Sequence, residues 1–123
     1  MNLLNSMFRL LSWEEGNTPT AHVALNADST IYRAHFPGNP ITPGVCMLQL
    51  VSELLEDRRQ GTLVLQEVKN LKFVSPLSPV DTPEIAVTFG RCTLDGNTLA
   101  VRGTIVHGDT IFAKFSLIYQ AVP

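Results

Sequence analysis

The sequence predicts an α+β fold in which a curved antiparallel sheet of about six strands wraps around one long helix. Three observations predict it. A single apolar helical pattern begins after Pro43. Every other patterned segment repeats with a period of two, as a strand does. The last three of these segments are joined by the short turn clusters Asp95-Gly96-Asn97 and His107-Gly108-Asp109, which favour an antiparallel meander.

Ser6 to Trp13 and Thr20 to Asn26 read as two strands flanking the turn-forming cluster Glu14-Glu15-Gly16-Asn17. Asp28 to Ala34 reads as irregular or as one short helical turn. Val45, Leu48, Val51, Leu54 and Leu55 then follow helical spacing, with Met47 and Leu50 between them. This helix is apolar around most of its circumference until Glu56-Asp57-Arg58-Arg59, so it should be buried. Pro43 suits the first turn and Gly61 suits the stop. Leu63 to Phe73 is a long strand, and Ser75 to Pro83 is a proline-shaped loop. Ile85, Val87 and Phe89 start the meander. Leu99, Val101 and Ile105 continue it, and Ile111, Phe115, Leu117 and Tyr119 end it. One helix and about six strands leave the sheet curled around the helix. Long strands leave an edge that another chain is expected to cover.

A chain of 123 residues is expected to form one domain, 1–123. A net charge of −2 gives no footprint for nucleic acid or an anionic membrane. No apolar run reaches the roughly 20 residues of a membrane span. The N-terminus lacks the pattern of a secretory signal. Cys46 and Cys92 fit no metal-ligand spacing. A cytoplasmic protein with free thiols, no metal and no organic cofactor is expected. Only 16% of residues are charged, which hints that a partner chain covers part of the surface.

The chemistry-bearing stretch is His35-Phe36-Pro37-Gly38-Asn39-Pro40-Ile41-Thr42-Pro43-Gly44-Val45. Three prolines stiffen it, and it ends where the helix begins. A histidine is thus held near backbone N–H groups that lack intrahelical partners. An imidazole moving a proton and a helix N-terminus holding an oxyanion suit chemistry at a carbonyl.

This stretch resembles the signature of the β-hydroxyacyl-acyl-carrier-protein dehydratases, hotdog-fold enzymes built on dimers. Lys72 to Asp81 resembles the family's downstream strand and Pro-x-x-Pro-x-Asp loop, and the likeness spans roughly residues 18 to 120. It implies a hydro-lyase of fatty-acid or polyketide-type synthesis, acting on thioesters of acyl-carrier protein or coenzyme A. A homodimer, a trimer of dimers or a heterodimer is implied, with no nucleic-acid or membrane partner. It implies His35 as general base and the Gly44 N–H as donor to the thioester carbonyl. Phe36, Gly38, Gly44, Val45 and Phe73 would bind substrate. The family's acid, a Glu or Asp contributed by the other subunit, falls on Gln49 here. An amide cannot give and recover a proton as a carboxylic acid does. Glu53, four residues on, shares the helix face. It stands roughly 6 Å along the axis from position 49, too far for direct substitution.

Other readings stand beside this one. A non-catalytic acyl-binding subunit could supply His35 to an acid-bearing partner, and a hotdog thioesterase could hydrolyse the same thioesters. Glu53 reads most simply as a residue reaching solvent near the helix end. Cys46 lies in the first helical turn, where a thiolate gains stability, but an apolar-face cysteine is more often a small packed residue. His22 and His107 read as structural or exposed. Arg58, Arg59, Lys69 and Lys72 are too few to mark an acidic partner.

Overall fold

A computed structural model describes residues 2–35 and 38–122, except for the side chain of His35. The elements run β1 (Phe8–Glu14), β2 (Thr20–Leu25), α1 (Thr30–His35), α2 (Gly44–Arg59), β3 (Leu63–Phe73), β4 (Glu84–Asp95), β5 (Thr98–His107) and β6 (Thr110–Ala121). The strands form one sheet in the order β1-β2-β4-β5-β6-β3, with every pair antiparallel. This is the hotdog arrangement expected from the sequence. No described helix is long and apolar enough to cross a membrane.

The core follows from alternation. Ile85, Val87 and Phe89 on β4 face inward, as do Val101 and Ile105 on β5 and Phe115, Leu117 and Tyr119 on β6. They share one cluster with Met47, Leu50, Val51, Leu54 and Leu55 of α2. A bond of 2.7 Å between the hydroxyls of Ser52 and Tyr119 links helix to sheet. Gly103 must lack a side chain: a Cβ there would come within 2.7 Å of the Phe115 ring and closer still to the Thr88 carbonyl.

Of the two readings for Asp28 to Ala34 the helical one holds, while other local expectations change. The segment after Asp28 is a six-residue helix, α1, closed on Ser29 by the Tyr32 and Arg33 N–H groups. The stop of α2 falls on Gln60, which adopts left-handed φ 55° and ψ 49°, rather than on Gly61. Hydrogen bonds from the Gln60 and Gly61 N–H groups to the Glu56 carbonyl close that end. The burial of α2 is one-sided in this chain, with Val45 69% exposed. β1 starts at Phe8 rather than Ser6, and both Met7, inside the expected strand, and Leu3, outside any expected element, are buried core residues before it.

Candidate functional site

The site begins at the N-terminus of α2. Pro43 is its N-cap residue, with extended φ −61° and ψ 144°, and no side chain caps the helix. The Cys46 and Met47 N–H groups turn back to the Pro43 carbonyl at 3.0 and 3.2 Å. The N–H groups of Gly44 and Val45 precede these and have no intrahelical acceptor. Proline at this boundary gives up a donor the helix could not have used.

Gly44 packs against the far end of the Phe73 ring, at the end of β3. A Cβ on Gly44 would sit 2.5 Å from Phe73 Cζ and 2.9 Å from Cε2. The close approach needs glycine for want of space. Around this contact a groove of about 320 Å³ is lined by Ile41, Gly44, Met47, Phe73, Val74 and Pro76, with Thr42 and Ser75 supplying hydroxyls. Phe73 is 50% exposed, so it forms a wall rather than part of the core.

Two contacts fix the Pro40–Pro43 segment. The Thr42 N–H donates to the Leu77 carbonyl at 2.8 Å, tying it to the proline loop. The Thr42 hydroxyl bonds the Tyr32 hydroxyl at 2.8 Å, tying it to α1. Tyr32 is 1% exposed, and burial pushes its hydroxyl up to about 12, with the Thr42 bond pulling the other way. It therefore stays a neutral partner near pH 7. Sequence reasoning did not single out Tyr32 or Thr42. Thr42 lies within the motif, but nothing in sequence pairs it with a residue ten positions earlier.

One turn further along α2 the two polar side chains meet. Gln49 Nε2 donates to Glu53 Oε2 at 2.9 Å. The expectation that Glu53 reaches solvent is corrected: it is 5% exposed. Its carboxylate also accepts the Leu3 N–H at 2.8 and 2.9 Å and the Leu4 N–H at 2.9 Å. Three donors converge on two oxygens, and the chain before β1 is pinned to the helix. A buried carboxylate needs such partners.

The expected site residues are thus partly gathered. Gly44 and Phe73 line one groove. Gln49 and Glu53 form a bonded pair one to two turns along the same helix. Val45 is exposed and does not line the groove. Gly38 is exposed, with φ +87°. His35 is the last residue of α1. Its imidazole, together with Phe36 and Pro37, lies outside the described residues. Cys46 is buried, and burial pushes its thiol up, which matches a packed residue rather than a helix-stabilised thiolate. His22 Nε2 meets Glu14 at 2.6 Å, and His107 Nδ1 lies 2.9 Å from the Glu84 carbonyl, both remote from α2 in the sheet. Arg58 reaches Glu15 and lies over the Trp13 ring at 5.6 Å. Among the described residues no group of three or more His, Cys, Asp or Glu gathers as a metal site.

Comparison with known proteins agrees with this architecture. The ApeI-like family profile, described as ApeI dehydratase, matches residues 12–105. The 3-hydroxyacyl-[acyl-carrier-protein] dehydratase FabZ of Latilactobacillus sakei is 36% identical over 90 residues, covering 68% of this chain and 64% of the relative. The chain therefore spans just under two thirds of that relative's length. Among solved structures, the dehydratase heterocomplex ApeI:P from Xenorhabdus doucetiae aligns with a TM-score of 0.63 at 17% identity, over 90% of this chain and 96% of that one. Thioesterase PA1618 from Pseudomonas aeruginosa, in a mutant form, aligns with a TM-score of 0.62 at 18% identity, over 94% and 81%. At these identities the structural likeness bears on the fold alone.

Proposed function

We propose a function from a firm premise: the chain belongs to the ApeI-like dehydratase family. It binds 3-hydroxyacyl thioesters with the carbonyl at the Gly44 N–H, and His35 takes the α-proton. The groove beside Phe73 would receive apolar atoms next to the thioester. The uncapped first turn of α2 supports this reading, because donors without acceptors favour a developing oxyanion.

The proton for the leaving hydroxyl does not come from this chain's α2. The observation that carries this is the Glu53 carboxylate, held by the Leu3 and Leu4 N–H groups and the Gln49 amide. Gln49 has no acidic proton to give, and Glu53 is committed to holding the N-terminal segment. Dehydration by this chain with itself should then be slow. In the productive form, an acid-bearing subunit of the same fold would complete the site. The ApeI:P dehydratase from Xenorhabdus doucetiae is a heterocomplex, which supports this pairing. The β3 edge, with Val64, Val68 and Phe73 exposed, offers a surface for such a partner.

The test is binding and turnover of 3-hydroxyacyl thioesters of pantetheine and of acyl-carrier protein, with His35→Ala as control. The proposal expects wild-type protein to bind the thioester and to exchange its α-proton with solvent, and His35→Ala to lose the exchange while staying folded by circular dichroism. Absence of both binding and exchange in the folded wild-type chain would remove this function.

A further inference from the structure

The outer face of the sheet, turned away from α2, carries an unusual concentration of positive charge. A groove of about 870 Å³ crosses β3 to β6 and is lined by Lys69, Arg91, Arg102 and Lys114, with the hydroxyls of Thr88 and Thr104 between them. Lys72 lies directly opposite Lys114 in the β3–β6 register, so it shares this face. Five of the chain's nine basic residues therefore occupy one surface of a molecule whose net charge is −2.

The register makes the arrangement costly. Arg91 stands opposite Arg102 across β4 and β5, and Lys72 stands opposite Lys114 across β3 and β6. Like charges facing each other across a sheet are destabilising. The usual remedy is an interleaved carboxylate. Among the described residues the only ion pairs are His22–Glu14 and Arg58–Glu15, so none of the five cations has a carboxylate within 4.0 Å. Glu67 on β3, opposite Ile118, lies on this same outer face, but it forms no ion pair with any of the five cations. The hydroxyls flanking the cations are themselves ordered, with Thr88 and Thr104 bonded at 2.6 Å.

We propose that this groove binds a small phosphate-bearing ligand of roughly nucleotide size. Guanidinium groups recognise phosphate oxygens through paired N–H donors, and ammonium groups complement them as point charges. Two arginines and two or three lysines around a concave polar floor match a di- or triphosphate better than a single anion. The volume lies within the range of sites that enclose small organic ligands. Nothing in this inference depends on the thioester reading, because the groove and Gly44 lie on opposite sides of the sheet.

The experiment is isothermal titration of the whole chain with inorganic pyrophosphate and with ADP, at constant ionic strength. It is repeated with the double variant Arg102→Gln/Lys114→Gln and with Lys72→Gln. Both double-variant sites are exposed and each removes a repulsion, so folding should survive; thermal unfolding checks it. Saturable binding of both probes is expected, weakened at least about tenfold in the double variant. No saturable binding to wild type would overturn the proposal, as would equal binding by the variants. Equal heats from sulfate at the same ionic strength would reduce the effect to screening and also reject it. Binding of a single-stranded oligonucleotide without binding of pyrophosphate would reject it in favour of a nucleic-acid surface.

Discussion

Gln49 Nε2 lies 2.9 Å from Glu53 Oε2, one helical turn away, and the same carboxylate receives the Leu3 and Leu4 N–H groups. A polar pair beside a candidate acyl site is thereby turned into a structural anchor. The carboxylate holds Leu3 and Leu4 against the helix, while the Asn26 N–H and side-chain amide tie Met7 and Ser6 to the end of β2; Leu3 and Met7 are each 1% exposed.

Glu53→Gln should loosen that anchor. The Leu3 and Leu4 N–H groups both reach Oε1, which an amide keeps, but the amide loses the negative charge that strengthens those bonds and sets an NH2 group against the Gln49 Nε2 donor. The expected loss is about 1–3 kcal/mol of stability, read from urea unfolding. Amide hydrogen exchange at Leu3 and Leu4 should accelerate more than exchange in β4. Unchanged protection at both amides would show that the carboxylate does not hold the segment.

Gly44→Ala should drive a methyl group into the Phe73 ring. The expected cost is about 1–3 kcal/mol, the ordinary range for overpacking. Phe73→Leu in the same chain should restore part of the loss, because a smaller side chain vacates the contact. Strictly additive losses in the double variant would show that the two positions do not collide.

The sequence revealed the layout better than the contacts. Period-two segments gave the bounds of β3, and the apolar helical spacing placed α2, because alternation and helical repeat record which face is buried. The motif's spacing sets Gln49 where the resemblance implies an acid. The fate of Glu53 was not readable: its partners are backbone groups fifty residues earlier, and backbone donors leave no trace in residue identity. The Tyr32–Thr42 bond was hidden for a related reason, since only the fold brings α1 beside the proline segment. The basic groove was hidden too. Lys69 and Lys72 are two cations in a strand until the register sets Lys72 opposite Lys114 and the groove gathers Arg91 and Arg102 beside them.

The two thiols should differ in accessibility. Cys46 is buried and Cys92 is exposed. Ellman's reagent should titrate one thiol in the native protein and the second only on unfolding. Cys92→Ser should abolish the native reaction. A native reaction that survives Cys92→Ser would mean that the first turn of α2 opens to solvent.

The β3 edge should be covered in solution by a second chain. Val64 and Val68 are 46% and 43% exposed along an 11-residue edge strand, and such edges associate. Sedimentation at micromolar concentration should show a dimer or a larger even assembly. Val68→Lys should shift the distribution toward monomer. A wild-type monomer would leave a shared acyl site without a second contributor.

A chain that holds the thioester but lacks the acid should gain turnover from Gln49→Glu. Turnover of a 3-hydroxyacyl thioester is measured for wild type and variant across pH. Slow turnover is expected in the wild-type homo-oligomer, with a rise of about 10²-fold or more in the variant and a new carboxyl group in its pH profile. A wild-type chain that is already fast, and that Gln49→Glu does not accelerate, would contradict this reading.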